Sequence, residues 1–296
     1  MTGGRPAMGR PRMRLGLCTA QVMDWDTLVE RWRRIEAFGF DSAWLFDHFM
    51  GGADRAGNQW YLEGWTALAG LAMATSRVDI GVLVSGNTYR PPALLAKEAL
   101  TVDHISNGRL ILGLGAGWYE AEHEAYGFAF PSAGERVARF REAVELVEAL
   151  LTEHRATYAG DYYRLRDAPS EPKALRSPGI PLLFGTSGPK MLRIAAAHAD
   201  VWNMVGTPEQ IHERGKVLLE ACAQVGRDPA TIRWSAAAWP GRVGFDPLTS
   251  PEGYRDLVER YREVGVTEVL CSWGKDTPIA AIERIAAELP ALQAPR

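Results

Sequence analysis

Residues 87–128 read NTYRPPALLAKEALTVDHISNGRLILGLGAGWYEAEHEAYGF, and this stretch decides the fold. Proline is tolerated in the first turn of a helix, so the stretch predicts a helix from Pro91 to His104. A tight turn and the buried strand Arg109–Leu114 follow. The three glycines within residues 113–117 predict that bare backbone comes close to another group at the end of this strand, and backbone amides bind anions well.

The same alternation continues on both sides of this stretch, because strand patterns and amphipathic helices alternate eight times along the chain. The predicted strands are Arg14–Thr19, Ser42–Phe46, Asp79–Val84, Arg109–Leu114, Pro181–Phe184, Asp200–Asn203, Ile232–Ala238 and Glu268–Cys271. This order predicts an α/β fold, a parallel (β/α)₈ TIM barrel with right-handed crossovers. We expect residues 13–296 to form one barrel domain and residues 1–12, rich in Gly, Pro and Arg, to form a flexible tail.

Three segments are too long to be simple connections. Asp47–Leu62 and Gly117–Ala133 follow the second and fourth strands, so we expect them at the carboxyl end of the barrel, where barrel active sites are built. The third, Arg155–Ile180, follows the fourth predicted helix, Gly134–Glu153. It contains TYAGDYYRL, which predicts a short hairpin.

Composition narrows the class of protein. The chain has 296 residues, a net charge of −3 and a sequence pI near 6.1, and no helix carries a basic stripe, which argues against a nucleic-acid partner. No apolar run approaches the roughly 20 residues of a membrane span, and the first residues do not form a secretory signal. Cys18, Cys222 and Cys271 form no CxxC pair, which indicates reduced thiols and a cytoplasmic protein.

Asp47 and His48 come directly after the second strand, at the rim where catalytic groups cluster. In the functional interpretation, His48 faces a bound ring and Asp47 positions either His48 or the cofactor. In the alternative, the pair only forms hydrogen bonds to neighbouring backbone. The position at the end of a barrel strand favours the functional interpretation.

Two loops are candidates for binding a phosphate. The first ends in Ala116 and Gly117; its spacing is GxGxG, not the GxGxxG of dinucleotide folds, and no helix follows immediately. The second is Thr186-Ser187-Gly188, just before a helix that begins at Pro189. Tight strand packing and a capped turn without ligand are the respective alternatives. Two such loops on one rim favour a cofactor that carries a phosphate.

Trp118 and Glu122 lie in the insertion after the fourth strand, and they share a face if that segment is helical. Three roles stay open for Glu122: a proton donor, a hydrogen-bond partner for a ring, or a helix-capping acid. No metal site is predicted, because the first strand ends in Cys18-Thr19-Ala20 where metal-dependent barrel hydrolases usually carry an HxH pair.

Several of these segments occur together in one known family. With DHF at residues 47–49, TYRPPALLAK at residues 88–97 and GLGAGWYEAEH at residues 113–123, the chain resembles the luciferase-like flavin and deazaflavin oxidoreductases. Within them it is most similar to the branch that uses the deazaflavin coenzyme F420. The resemblance extends from about Leu15 to Val205.

The resemblance implies a reductase or dehydrogenase that transfers a hydride between F420 and a small organic substrate, as a homodimer. It implies that His48 lies over the reactive ring carbon and that the cofactor phosphate binds the loop at Thr186. It also implies a non-proline cis peptide near Val82-Leu83, within one or two residues, that supports the ring, with Ser85 as a further polar contact.

One departure narrows the activity. Sugar-phosphate dehydrogenases of this superfamily place a catalytic Glu where this chain has Trp118, so the resemblance implies another reaction, with Trp118 on the substrate side. Three other functions stay open: an FMN-dependent monooxygenase, a non-catalytic flavin-binding or deazaflavin-binding protein, and a metal-dependent hydrolase.

Overall fold

The protein is described by a computed structural model that covers residues 12–51, 61–274 and 276–295. The predicted tail, except for its last residue, and the centre of the first insertion, Asp47–Leu62, lie outside the described residues. The strands are β1 Arg14–Thr19, β2 Ser42–Leu45, β3 Asp79–Val82, β4 Ser85–Gly86, β5 Leu112–Gly115, β6 Arg155–Ala159, β7 Arg164–Pro169, β8 Leu182–Gly185, β9 Val201–Val205, β10 Arg233–Ala238 and β11 Glu268–Trp273. The helices are α1 Trp25–Ala37, α2 Gly64–Ala74, α3 Pro92–Ile105, α4 Glu120–Tyr126, α5 Ala133–Thr152, α6 Pro189–His198, α7 Pro208–Val225, α8 Pro240–Val243, α9 Pro251–Glu263, α10 Ile279–Ala286 and α11 Leu289–Gln293.

Parallel pairing joins the strands into one sheet in the order β3-β2-β1-β11-β10-β9-β8-β5-β4. The sheet closes on itself, because β3 and β4 are two halves of the predicted third strand. A parallel bridge joins Ile80 to Leu110, and the Ile80 amide donates to the Arg109 carbonyl at 3.0 Å. The predicted TIM barrel is therefore confirmed.

The third strand is interrupted between its two halves. Leu83 and Val84 are joined by a non-proline cis peptide bond, one residue after the predicted position at Val82-Leu83. The predicted continuous strand Asp79–Val84 is wrong in this respect, because pairing stops at Val82 and resumes at Ser85.

Two apolar layers make up the core. The outer layer lies between the sheet and the helices and includes Leu15 and Leu17 of β1. The inner layer fills the barrel and consists of Cys18, Trp44, Ile111, Leu183, Val201 and Leu270. Since successive side chains of a strand point to opposite faces, Leu17 packs on helices while Cys18 packs inside the barrel.

The insertions contain regular structure. The hairpin β6–β7 confirms the prediction for Arg155–Ile180, and α4 lies within the insertion after the fourth barrel strand. Three further short helices, α8 after β10 and the pair α10 and α11 after β11, complete the chain.

Arg109, in the opening stretch, is a buried cross-link at the amino end of the barrel. Its guanidinium donates to the carbonyl oxygens of Ala72, Thr75 and Val78 at 2.8 to 3.0 Å. These bonds fix the turn between α2 and β3 against the start of the fourth barrel strand. A carbonyl-lined pocket of this kind stabilises a buried cation that has no carboxylate partner.

We expect Gly113→Ala to destabilise the barrel. A Cβ at Gly113 would overlap the carbonyl oxygen of Val82 across the closing seam, and backbone cannot move aside as a side chain can. The expected loss is about 2 kcal/mol or more of the free energy of unfolding, measured by urea unfolding. Gly134→Ala in α5 is the control, since its Cβ would meet only the Ser132 hydroxyl at 4.0 Å and alanine favours a helix. Equal stability of the two variants would contradict the close approach.

Candidate active site

The carboxyl end of the barrel carries a half-buried apolar floor. Phe46 follows β2, Leu83 and Val84 lie between β3 and β4, and Trp239 follows β10; all four pack on the inner layer. The Phe46 and Trp239 rings meet edge to face, with centroids 5.7 Å apart. A floor of this kind suits one face of a flat ring.

The glycines of the opening stretch make room for part of this floor. A Cβ at Gly113, Gly115 or Gly185 would come within about 3 Å of the Val84 side chain. These glycines are therefore explained by tight packing against Val84 without any ligand. For Gly113 and Gly115, this is the alternative stated in the sequence analysis for the first phosphate loop. Gly117 differs: its φ is +83°, and a Cβ there would overlap the Thr88 hydroxyl.

Asp47 is a buried anchor for the segment after β4. Its Oδ2 accepts the Gly86 amide at 2.7 Å, and its two oxygens accept a bidentate pair of bonds from Arg90 at 2.8 and 2.9 Å. Arg90 also lies 3.3 Å from Glu63 and 3.5 Å from Glu98. Asp47 therefore positions the chain and does not face open space.

Glu122 of α4 is fully buried, and protein donors surround its carboxylate. Oε1 accepts the amides of Phe49 and Met50 at 2.6 and 3.1 Å. Oε2 accepts the Tyr89 hydroxyl, and it lies 2.9 Å from His48 Nδ1. One carboxylate thereby joins the insertion after β2, the segment after β4 and α4.

The electrostatics of Glu122 answer the question left open about its role. Burial opposes its charge, but hydrogen bonds from His48, Tyr89 and the Phe49 amide outweigh burial and hold the pKa of Glu122 below its usual value. The same arrangement raises the pKa of Tyr89, through burial first and then through the bond to Glu122. Of the three roles left open for Glu122, the lowered pKa and the donors on both oxygens favour an ionised hydrogen-bond acceptor over a proton donor.

His48 has one nitrogen engaged and one without a described partner. Its Nδ1 faces the Glu122 carboxylate, so Nδ1 carries the hydrogen of that bond, and Nε2 has no hydrogen-bond partner within residues 12–51, 61–274 and 276–295. The side chain is 22% exposed, and the rings of Trp118 and Tyr119 meet it edge-on at 5.7 Å. The geometry leaves Nε2 for a ligand.

Trp118 stands outside this buried network. It is 70% exposed and stacks on Tyr119, with centroids 5.1 Å apart and an interplanar angle of 20°. The expected shared face of Trp118 and Glu122 is wrong, because α4 begins at Glu120, after Trp118, and turns Glu122 inward.

An aromatic cluster holds α4 on the barrel. Tyr89 stacks on His123 at 4.7 Å, and Phe49 meets both Tyr89 and Phe128 within 5.5 Å. His123 Nδ1 faces the Tyr119 carbonyl and Nε2 faces the Thr88 hydroxyl, both at 2.7 Å, so both ring nitrogens are engaged. His48 is thus the histidine of this rim that has a nitrogen to spare among the described residues.

Two residues predicted to touch a cofactor point elsewhere. The Val82 side chain is buried in the outer layer, and the Ser85 hydroxyl accepts the Trp65 indole N–H of α2 at 3.0 Å. The interruption of the strand explains this correction, because Leu83 and Val84 both pack inward and the residues on either side then face the helices. Of the three residues predicted to contact the cofactor here, Val82, Leu83 and Ser85, Leu83 is the one that forms part of the apolar floor.

The second phosphate loop lies at the start of α6. The Thr186 amide donates to the Asn203 carbonyl at 3.0 Å, whereas Ser187 and Gly188 are exposed. Within the described part of the chain, no side chain caps α6, in contrast to α7, where Thr207 and Gln210 form a capping box. An uncapped helix start with free amides favours an anion.

Taken together, the rim fits a ligand with a flat ring and a phosphate. The floor of Phe46, Leu83, Val84 and Trp239 suits the ring, and the start of α6 suits the phosphate. Tyr89 and Arg90 were not predicted as site residues, although both stand in the quoted TYRPP motif. Their buried partners, Glu122 and Asp47, lie far from them in the sequence, so a single sequence does not reveal the contacts.

Other parts of the described chain show weaker candidates for a binding site than this rim. A cavity of about 370 Å³ lies at the amino end of the barrel, where Arg14, Asp41 and Asp79 line it, on the side away from His48. Among the described residues, no cluster of three or more His, Cys, Asp and Glu side chains suits a metal ion. No helix in that part of the chain is long and apolar enough to cross a membrane.

The chain is similar to known proteins in sequence and in fold. Residues 7–240 match the family described as luciferase-like monooxygenase. An F420-dependent glucose-6-phosphate dehydrogenase of Intrasporangium calvum is 40% identical over 183 residues, which cover 58% of this chain and 52% of that protein. The chain thus spans about half the length of this relative.

Two further proteins match over more of their length. An uncharacterized protein of Mycobacterium tuberculosis is 32% identical over 232 residues, which cover 77% of this chain and 76% of that protein. An F420-dependent secondary alcohol dehydrogenase, solved in complex with an F420-acetone adduct, superposes with a TM-score of 0.84 at 21% identity. This superposition covers 96% of this chain and 100% of that chain, and it establishes the shared fold.

We expect the cost of Glu122→Gln to depend on pH. The folded pKa of Glu122 is lowered, so its stabilisation is present above the unfolded pKa of about 4.3 and is lost as pH falls through the folded pKa. Since hydrogen bonds to a charged group contribute about 1.5–3 kcal/mol, the variant should lose at least about 2 kcal/mol at neutral pH. Urea unfolding over a range of pH measures this difference, which should narrow below about pH 4.

Glu98→Gln is the control of opposite sign. Burial raises the pKa of Glu98 despite the attraction of Arg90, so its charge destabilises the folded state above that pKa. This variant should match or exceed the parent in stability at neutral pH, and the difference should close in acid. A cost of Glu122→Gln that grows as pH falls would refute the assignment of an ionised anchor.

Proposed function

Because this chain belongs to the luciferase-like monooxygenase family, we propose that it is an oxidoreductase that uses coenzyme F420 to transfer a hydride to or from a small organic substrate. It is an enzyme of that family, with relatives named as F420-dependent dehydrogenases. We assign the activity to one barrel domain, residues 13–296. The homodimer and the cytoplasmic location stay predictions.

One observation carries the proposal: His48 keeps Nε2 for a ligand at the same rim as the apolar floor. When bound, a deazaflavin supplies a ring carbon that gives or takes a hydride, and its reduced form reacts poorly with oxygen. Leu83 and Val84 would support one face of the ring, and His48 would face the reacting atoms. The contribution of the protein is to orient both partners and to exclude water.

The phosphate end of the cofactor would lie at the start of α6. Ser187 and Gly188 are exposed there, and Thr186 precedes them at the end of β8. Ala116 and Gly117 directly follow β5, which pairs with β8. They would therefore line the part of the cofactor that links its ring to its phosphate. Asp47 would act indirectly, through its bonds to Gly86 and Arg90.

Trp118 would form the substrate side of the site. Its ring is exposed beside His48, and it stands where sugar-phosphate dehydrogenases of this superfamily have a catalytic Glu. Although a relative named for glucose 6-phosphate is 40% identical over about half its length, we expect no oxidation of glucose 6-phosphate by this chain.

An FMN-dependent monooxygenase is the second candidate function, and the family name favours it. Reconstitution separates the two: we expect micromolar or tighter binding of F420 and weaker binding of FMN, measured by the visible spectra of both coenzymes. Turnover with FMN and not with F420 would establish the monooxygenase instead.

We expect His48→Ala to keep cofactor affinity within about threefold and to lower hydride transfer at least a hundredfold, because a positioned acid or base contributes about 10²–10⁴-fold. Cofactor titration and stopped-flow absorbance measure the two quantities. Unchanged transfer in this variant would show that His48 is not the acid or base of the reaction, whereas a parent protein that binds the coenzyme and transfers no hydride would favour a non-catalytic role.

We expect Ser187→Asp to raise the dissociation constant of F420 about tenfold, since a new negative charge at the helix start repels a phosphate. The same charge should leave thermal stability unchanged or slightly raised, because acidic residues stabilise helix starts. Thr207→Asp, which places the charge at the start of α7, is the control. Equal weakening by both variants would indicate a general charge effect and not a phosphate site at α6.

A further inference from the structure

We propose that Glu122 and Tyr89 are positioning residues that hold His48 with its proton on Nδ1, so that Nε2 acts as the proton acceptor in the oxidation of an alcohol. This inference rests on the proposed function for its chemistry. Its structural part, the tautomer of His48, stands on the hydrogen bonds alone.

The two carboxylate oxygens of Glu122 accept hydrogen bonds from different donors. Oε1 receives two backbone amides, from Phe49 and Met50, which can only donate. Oε2 lies between the Tyr89 hydroxyl and His48 Nδ1. Since Oε2 belongs to an ionised carboxylate, Nδ1 must be the donor and Nε2 is left with a lone pair when the ring is neutral.

The surroundings of His48 add no competing charge in the described part of the chain. Trp118 and Tyr119 meet the ring edge-on, and the Asp47 carboxylate is engaged with Arg90. Tyr61, whose pKa is raised by burial, Glu122 and Asp47, is neutral near pH 7. The buried Glu122 carboxylate is therefore the charge that stabilises an imidazolium at His48.

The proton and the electrons of the reaction then have separate destinations. In the oxidation of an alcohol, the O–H bond breaks and its proton passes to His48 Nε2. The C–H bond of the same carbon would break as the C=O double bond forms, and a bound deazaflavin would supply the acceptor for that hydrogen and both electrons of the bond. Reduction of a carbonyl runs the same steps backwards, with His48 as the acid.

Glu122→Gln tests the assignment sharply because it reverses the tautomer. The two backbone amides require the amide oxygen of the new side chain at the Oε1 position, which places its NH₂ group against His48 Nδ1. A donor there forces the proton to Nε2 and removes the acceptor from the site.

The first measurement is the ¹H–¹⁵N correlation spectrum of the imidazole rings in the cofactor-free full chain, at alkaline pH where imidazoles are neutral. His48→Asn assigns the signal by its disappearance. We expect Nδ1–H in the parent and in Tyr89→Phe, which loses one donor to Oε2 and keeps the carboxylate, and Nε2–H in Glu122→Gln. An Nε2–H signal in the parent overturns the proposal without any variant.

The second measurement is kinetic, with F420 and a series of secondary alcohols. Glu122→Gln should lower kcat at least a hundredfold with a KM within about threefold, and adding it to His48→Ala should cost less than about threefold more. Glu142→Gln is the matched control, because Glu142 is also buried and accepts the amides of Asp161, Tyr162 and Tyr163. It should lose stability while kcat and the His48 tautomer stay as in the parent.

The outcomes separate this inference from the proposed function. A reversed tautomer in Glu122→Gln with unchanged kcat rejects the catalytic part, and an unreversed tautomer rejects the positioning part. Absence of F420 binding in the parent rejects the proposed function and leaves the tautomer result intact.

Discussion

A carboxylate that is buried without enough donors destabilises a protein, and this constraint shapes the rim at the carboxyl end of the barrel. Glu122 and Asp47 are both buried there, and each is satisfied by groups from other segments of the chain. Glu122 takes its donors from residues 48–50 and from Tyr89, and Asp47 takes its donors from Gly86 and Arg90. Three loops that would otherwise move independently are thereby held in one geometry.

The barrel beneath this rim depends on a second fit, between small and large residues. The inward turn of Leu83 and Val84 places a branched side chain where β5 and β8 come close, and Gly113, Gly115 and Gly185 leave the space for it. The floor is therefore part of the packed core and not a separate surface. A ligand ring would rest on side chains that cannot give way without disturbing the inner layer.

The sequence predicted the barrel well and the side-chain roles only in part. Periodicity located the strands because alternation is local, and β1 was placed with its observed bounds, Arg14–Thr19. The side chains of Val82 and Ser85 face the helices, contrary to the direction that their predicted roles require, because the interruption at Leu83-Val84 changes which residues face inward. The partners of Glu122 lie 33 and 74 residues away, so a pattern read along the chain does not reveal them. His48 and Glu122 were both predicted as residues of one site, and their direct contact became visible only in the fold.

The arrangement of charge at the rim is consistent with the proposal that a histidine, and not a carboxylate, meets the ligand. Two carboxylates of the described rim are tied to protein donors: Asp47 to Arg90, and Glu122 to His48 and Tyr89. A free carboxylate beside an apolar floor would repel a phosphate-bearing cofactor and would resist burial. A neutral imidazole has neither effect, and the carboxylate behind it stabilises the charge that it gains. Under the proposed function, the negative charge of Glu122 would lie behind the His48 ring, where it would favour proton transfer without opposing the binding of a phosphate-bearing cofactor.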